Sequence, residues 1–360
     1  MDRPASAGRV SGVTEEIAPW QEPYRGGHPD PAVMIGLPGL EGLRLAVLGK
    51  GIRPPISYLT GLFLTEVDEG YAVFEMVASD WLLSPQDQIS VGALMMVADG
   101  ALGCAVATGL PARVPYTTAE LSMSFLKPCA ANGVIKAYGR LLHMEGQLAL
   151  SDVWIEDARG ERVAHGTSTC MVLPEITGLE PPAEIPTWTE PTYDTPHPYE
   201  RPVIGTAIPW DEWRTMSGLD ILLGQIKGEL PQPPIHYLTG MTLREASEGK
   251  ASFTLPASGW LTSPLRTVQG GAIAMLGHAA LATAVTSTLE AGSAYRPVDV
   301  KVNFLRPVFP DTGEVTAHGI VTHRGRTLAV ATADVFGGDG KKVATATGST
   351  LIVPERPSSE

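Results

Sequence analysis

The chain has 360 residues, a formal net charge of −13 at pH 7 and a sequence pI of about 5.1. A chain this acidic lacks the basic face that binds nucleic acid or an anionic membrane, so we expect neither partner. Residues 1–16 lack the apolar stretch of a secretory signal, and no uninterrupted apolar run reaches the roughly 18 residues of a membrane span. We therefore expect a cytoplasmic protein.

The first part of the chain divides into an arm and a domain. Residues 1–33 are polar and broken by Pro and Gly, which predicts a flexible N-terminal arm. Domain 1, over 34–174, then alternates helical and strand-like patterns. Its predicted elements are a helix over 38–49, a strand over 71–76, a long helix over 91–108, and strands over 117–126, 133–144, 147–156 and 162–172.

The long helix over 91–108 indicates the fold class. It is apolar on nearly every face, which is typical of a helix enclosed by protein rather than one lying on a surface. Several strands separated by short Gly-rich or charged turns follow it, as in an antiparallel meander. The pattern predicts an α+β domain in which one antiparallel sheet wraps around a central helix.

A proline-rich linker over 175–212 separates this domain from a second one. Its eight prolines favour an extended, semi-rigid connection. Domain 2 covers 213–354, and a short tail covers 355–360. The predicted elements of domain 2 are helices over 217–228 and 270–288 and strands over 250–255, 296–305, 314–323, 327–336 and 342–353.

The second domain repeats the first. The segment PPISYLTG at 54–61 returns as PPIHYLTG at 233–240, an offset of 179 residues that becomes 180 later in the chain. Solenoid repeats are only about 20–50 residues long, so this unit is a duplicated domain. Positions where the two copies carry different polar residues therefore indicate unequal sites.

No cofactor or metal is expected. The three cysteines, Cys104, Cys129 and Cys170, lack metal-ligand spacing and are expected to be small buried side chains. The chain has no Gly-rich strand-helix fingerprint of a dinucleotide site.

Two polar features need an explanation. Asp99 lies in the middle of the apolar helix, where an unpaired carboxylate would be expensive. It is either a structural acid with hydrogen-bond partners or a functional group, and we favour the second. Gln269-Gly270-Gly271 opens the second long helix, where free N–H groups and the helix dipole could receive a substrate carbonyl. The alternative is a tight turn that needs glycine for its dihedral angles.

Together these residues resemble the hotdog-fold acyl-CoA thioesterases of the phenylacetyl-CoA thioesterase (PaaI-like) type. That family has His-Gly-Gly at the start of the central helix, an acid eight residues after the first of those glycines, and a strand ending in Phe-Leu-Lys/Arg-Pro. The sequence carries Gln269-Gly270-Gly271, Asp99, and strand ends at Phe125–Pro128 and Phe304–Pro307. Gln269 or Ser90 replaces the family His, and Ser263 or Ser84 replaces the usual Asn or Gln.

The resemblance implies two hotdog domains in tandem, with composite sites between them. One site would combine Gln269 and Gly270 of domain 2 with Asp99 and Thr118 of domain 1. The other would combine Ser90 and Val91 with His278 and Pro297, without a glycine, carboxylate or hydroxyl at the matching positions. Because every loss falls in the second site, we expect one working site and one degenerate pocket.

The implied activity is hydrolysis of an acyl- or aryl-CoA thioester. Gly270 N–H would stabilise the oxyanion, Asp99 would act as base or less plausibly as nucleophile, Thr118 would hold water and Gln269 would place the thioester. CoA enters only as part of the substrate, with no separate cofactor. The expected substrate-binding residues are Gly271, Ser263, Lys127, Arg306, Arg266 and Lys301, the four cations being candidates for the CoA phosphates.

Two other functions fit the same residues. One is a non-catalytic acyl-CoA- or lipid-binding hotdog protein, and the other is a hydratase that would use His278. The latter lacks a matching acid in its pocket. In either case we expect the repeats to form a pseudo-dimer within the chain, and whole chains to pair into a homodimer.

Overall fold

A computed structural model describes residues 17–353. Both repeats contain the same order of elements. The first repeat has helices α1 (Pro31–Met34), α2 (Gly39–Val47), α3 (Pro55–Thr60) and α4 (Val91–Thr108) and strands β1 (Leu62–Asp68), β2 (Tyr71–Val77), β3 (Tyr116–Phe125), β4 (Val134–Glu145), β5 (Leu148–Glu156) and β6 (Arg162–Val172). The second has α5 (Trp210–Thr215), α6 (Gly218–Lys227), α7 (Pro234–Thr239) and α8 (Gly270–Thr286) with β7 (Thr242–Ser247), β8 (Lys250–Pro256), β9 (Ala294–Phe304), β10 (Glu314–Arg324), β11 (Leu328–Phe336) and β12 (Lys342–Val353).

The strands form one continuous antiparallel sheet across both repeats. Its order is β1-β2-β4-β5-β6-β3-β9-β12-β11-β10-β8-β7. The repeats join where β3 pairs with β9, and there Ser122 lies opposite Lys301, its own counterpart 179 residues later. A pseudo-two-fold axis therefore passes through this pair, as in an isologous dimer.

The central helices α4 and α8 pack against each other and against the inner face of the sheet. Close approach to the sheet requires glycine at two equivalent positions. A Cβ on Gly139 of β4 would lie 2.2 Å from the Ala101 carbonyl oxygen, and one on Gly319 of β10 would lie 2.1 Å from that of Ala280. The predicted tandem hotdog architecture, with a sheet wrapped around a helix in each repeat, is confirmed.

Helix α4 is long and apolar enough to resemble a membrane span. It has 18 residues and a mean hydropathy of 1.7, with only Asp99 charged, so the expectation that no segment reaches this length needs correction. However, 72% of the helix is buried inside the protein. It is a core helix, and its composition reflects enclosure by the sheet and by α8.

Residues 17–33, assigned from sequence to a flexible arm, are held against the opposite repeat. The indole N–H of Trp260 donates to the Glu22 carbonyl at 2.8 Å, and the indole N–H of Trp81 donates to the Arg201 carbonyl at 2.9 Å. Arg201 also pairs with Glu22 at 2.5 Å. Since 22 and 201 are again 179 apart, the repeat extends back through the arm and the second half of the proline-rich linker. Residues 1–16 and the tail over 355–360 lie outside the described residues.

We predict that whole chains associate into a homodimer. Exposed leucines recur at equivalent positions of both repeats, with Leu148 50% exposed on β5 and Leu328 38% exposed on β11, and burial of such a repeated apolar surface favours association. Sedimentation equilibrium should give twice the chain mass of 38.1 kDa. A single-chain mass at micromolar concentration would contradict the prediction.

Candidate functional site

A cavity of about 750 Å³ lies next to Asp99. Most of its wall comes from repeat 1, chiefly α2, α4 and the start of β1. The linker contributes Ile185–Trp188, and repeat 2 contributes Ser263–Leu265 and Gln269. Asp99 and Gln269 therefore meet across the two repeats, at one end of a large and mostly apolar space.

The carboxylate of Asp99 faces the N-terminus of α8. Its Oδ2 accepts a hydrogen bond from Gly271 N–H at 2.9 Å, and the N–H of Gly270 also stabilises its charge. Burial raises the pKa of Asp99 to about 6, although these two N–H groups oppose the shift. At pH 7 the group is mostly ionised, yet basic enough to accept a proton.

The two glycines at the start of α8 have different structural roles. A Cβ on Gly270 would lie 3.1 Å from Oδ1 of Asp99, so this glycine leaves space in front of the carboxylate. A Cβ on Gly271 would lie 2.5 Å from the Cα of Met96, so this glycine permits close contact between α8 and α4. The first repeat keeps the packing glycine as Gly92 but has Val91 at the other position.

Gln269 precedes α8 and presents an acceptor at the site. Its Nε2 donates to the Met96 carbonyl at 3.0 Å, which fixes the orientation of the amide. Its buried Oε1 has no hydrogen-bond partner within residues 17–353. A buried acceptor without a partner costs free energy unless water or ligand binds it.

Thr118 lies on β3 opposite Cys170, whose thiol it contacts by a side-chain hydrogen bond. It does not line the cavity in the described structure. Tyr116, two residues earlier on the same strand, lines the cavity, and so does Cys104 of α4. Burial raises the pKa of Cys104 to about 12, so this thiol stays protonated.

The four cations selected from sequence lie outside the cavity lining. Lys127 pairs with Glu161, Lys301 with Glu120 at 3.8 Å, and Arg306 donates to the Lys342 carbonyl at 2.6 Å. Arg266 belongs to the loop after Leu265 and acts electrostatically on His28.

The cavity instead contains Lys50 and Arg53, which sequence reasoning missed. Comparison of the two repeats could have identified them as site-specific cations. In repeat 2 the acidic Glu229 stands in place of Lys50, and the uncharged Gln232 stands in place of Arg53. Arg53 lies beside the repeat 2 loop. Its carbonyl accepts Gly27 N–H at 3.0 Å, and the neighbouring His28 hydrogen-bonds Thr262 at 2.8 Å.

A second, smaller pocket lies at the equivalent position of the other repeat and has a volume of about 90 Å³. The residues expected there, Ser90, Val91, His278 and Pro297, all line it. The His278 side chain is 8% exposed, burial lowers its pKa to about 4, and its Nε2 has no hydrogen-bond partner in the described chain. This pocket therefore offers a neutral imidazole where the large cavity offers a carboxylate.

Within residues 17–353, no group of three or more His, Cys, Asp or Glu side chains is arranged to hold a metal ion. The chemistry available near Asp99 consists of a carboxylate, helix N–H groups, an amide, a tyrosine and a protonated thiol.

Residues 266–344 match the family model described as the thioesterase superfamily. This range begins just before Gln269 and ends in β12, so it covers the central helix α8, strands β9–β11 and the start of β12. No curated protein matches the chain significantly.

Solved structures similar to the chain cover both repeats. The tesB protein of Mycobacterium avium subspecies paratuberculosis is 14% identical, with a TM-score of 0.51, over 83% of this chain and 98% of its own. A hotdog protein of unknown function from Alicyclobacillus acidocaldarius is 15% identical, with a TM-score of 0.51, over 85% and 99%. The acyl-CoA thioesterase II TesB2 of Mycobacterium marinum is 13% identical, with a TM-score of 0.49, over 84% and 99%. The chain thus has the tandem hotdog fold, and its second repeat resembles the thioesterase superfamily.

Proposed function

We propose that the protein hydrolyses an acyl- or aryl-CoA thioester at one composite site between its repeats. The observation that carries the proposal is the Asp99 carboxylate, which faces the glycine-headed N-terminus of α8 inside a large cavity. The match of residues 266–344 to the thioesterase superfamily supports the same reaction class.

In the proposed reaction Asp99 acts as the general base. It removes a proton from water as the water oxygen attacks the thioester carbonyl, and the carbon–sulfur bond then breaks. The proton passes to the CoA sulfur, so the products are a carboxylic acid and free CoA. In this step the Gly270 N–H turns from the carboxylate of Asp99 to the carbonyl oxygen, and with the dipole of α8 it stabilises the negative charge there, while Gly271 N–H still holds Asp99.

Gln269 and Thr118 have supporting roles in this proposal. The unpaired Oε1 of Gln269 is an acceptor, suited to a water or to an amide N–H of the substrate, and it would help to place the thioester. Thr118 is the expected water-holding hydroxyl. Thr118 contacts Cys170 and is not part of the cavity lining, so in this proposal it would act through an intervening water.

The direct test is release of free thiol from a panel of acyl-CoA esters of different chain length. The proposal expects turnover of at least one ester at a rate proportional to enzyme concentration. Failure to hydrolyse any ester, together with tight binding of the same esters, would favour a non-catalytic acyl-CoA-binding protein. One observation favours that second function, since helix N–H groups already satisfy the carboxylate of Asp99 as they would a structural acid.

Lys50 is expected to bind the CoA phosphates. It is exposed and lines the same cavity as Ser263–Leu265 of repeat 2, so in this proposal the nucleotide end of a bound CoA leaves the cavity beside it. Lys50→Ala should raise KM for acyl-CoA about two- to fivefold, because an exposed ion pair contributes about 0.2–1 kcal/mol.

Acyl-pantetheine, which lacks the nucleotide phosphates, is the control substrate and should show no change in KM. Lys127→Ala is the matched comparison, since Lys127 was selected from sequence but pairs with Glu161 away from the cavity. A larger effect from Lys127→Ala than from Lys50→Ala would favour the sequence-based assignment.

A further inference from the structure

The cavity extends from Asp99 along helix α4. Gly100, Cys104 and Ala107 line it at spacings of three or four residues, which places them on one face of the helix. From Asp99 to Ala107 the helix rises about 12 Å at 1.5 Å per residue. The cavity beside Asp99 is therefore elongated as well as large.

The far part of the cavity is suited to an alkyl chain. Helix α2 forms the wall opposite α4, and its lining residues include Leu43, Ala46 and Val47, with Phe74 of β2 nearby. Pantetheine carries two amides that would lose their hydrogen bonds to water against such a wall. An acyl chain loses none and gains from burial of its methylenes. The polar residues Ser263 and Gln269 lie at the other end, where the pantetheine would begin.

The second pocket shows which positions keep this space open. Helix α2 carries Gly42 and Ala46 where the equivalent helix α6 carries Ile221 and Gln225. All four residues line their respective cavities. The same trend holds for Ser57 and His236, Gly100 and Ala279, and Ala107 and Thr286. In each of these five pairs the bulkier residue is in the smaller cavity, which holds about 90 Å³ instead of about 750 Å³.

We propose that Gly42 and Ala46 determine the length of acyl chain that the site accepts, and that the preferred substrates are medium- to long-chain acyl-CoA esters. The proposal rests on the proposed thioesterase function. Gly42 and Ala46 are four residues apart and share one face of α2. A Cβ on Gly42 would lie 3.5 Å from the Met34 carbonyl oxygen, an ordinary contact, so the backbone accepts a side chain there.

The test is to transfer the second-pocket residues into the first repeat. The double variant Gly42→Ile/Ala46→Gln should lower the ratio of kcat/KM for palmitoyl-CoA to that for butyryl-CoA by at least about tenfold, since the added atoms fill a space that only the longer chain occupies. The matched control is Arg44→Leu, which also copies α6 but replaces an exposed side chain that pairs with Asp68. It should leave the ratio unchanged. If the double variant unfolds, the single variant Ala46→Leu should lower the ratio in the same direction.

Binding of free palmitate, measured by calorimetry on the full chain, separates this inference from the proposed function. Loss of palmitate binding in the double variant supports the inference even if no ester is hydrolysed. Turnover of esters with an unchanged palmitoyl-to-butyryl ratio overturns the inference and leaves the thioesterase proposal intact. A wild-type preference for butyryl-CoA over palmitoyl-CoA overturns it as well.

Discussion

Replacement of Asp99 by Asn is expected to lower kcat by about 10²–10⁴-fold against the best acyl-CoA, the usual contribution of a general base. The amide keeps the shape of the carboxyl group and can still accept Gly271 N–H, so the fold and substrate binding should survive. Thiol release under saturating substrate measures kcat, and circular dichroism checks the fold. Wild-type kcat in this variant would show that Asp99 is only a structural acid.

The same carboxyl group should control the pH profile. Because its pKa is raised to about 6, kcat/KM of the wild-type enzyme should fall as pH decreases through about 6, where Asp99 takes up a proton. The residual activity of Asp99→Asn should lack this step. Assays of kcat/KM over a pH series with both proteins test whether Asp99 is the general base. If its role were only structural, its protonation would not produce a step in the pH profile.

Asp99 should also cost stability when ionised. Its folded pKa of about 6 lies above the ordinary aspartate value of 3.8, so the folded state binds the proton more tightly. The contribution of Asp99 to stability is therefore greatest below about pH 4, falls between about pH 4 and 6, and stays reduced above that range. The shift corresponds to roughly 3 kcal/mol at 1.36 kcal/mol per unit. Asp99→Asn should accordingly raise Tm at pH 7 while it lowers activity.

Much of this fold could be predicted from the sequence because the chain contains two copies of the same domain. Hydrophobic periodicity placed α4 at 91–108, as observed, and the strands that follow it within two residues of their observed ends. Strands β1 and β7 and the short helices α1, α3, α5 and α7 were missed. In PPISYLTG the first-turn proline and the final glycine do mark a short helix, but six residues give too little periodicity to show it.

The site was predicted best where the two repeats differ. Substitution of Val91 for Gly270 and of His278 for Asp99 marked unequal pockets. Asp99 and Gln269 line the large cavity but Gly270 and Thr118 do not, whereas Ser90, Val91, His278 and Pro297 all line the small one. Cavity walls formed by long-range packing were not predictable in the same way. The repeat marks Lys50 and Arg53 as differences between the copies, but their position in the cavity, like that of linker residues 185–188, depends on how α2 and the linker pack in three dimensions.

The two variants Gly270→Val and His278→Ala are expected to differ most in kcat, because they alter the large cavity and the small pocket respectively. A Cβ at position 270 would already lie 3.1 Å from Oδ1 and 3.2 Å from Oδ2 of Asp99, and valine adds two methyl groups at the same point. The carboxylate must then move, and the carbonyl oxygen of the substrate loses its access to the helix N–H. We expect kcat to fall by about 10²–10³-fold, the effect of removing one oxyanion donor.

His278→Ala should leave kcat close to that of the wild type, because His278 lies in the small pocket and has no contact with Asp99 in the proposed mechanism. Gly270→Val reproduces the residue that the degenerate pocket carries as Val91, so the pair of variants compares the two sites directly. Active-site titration with a slowly released substrate analogue should give one productive site per chain. Two productive sites, or a His278→Ala enzyme as inactive as Asp99→Asn, would mean that both pockets take part in turnover and that the carboxylate site is not the sole centre.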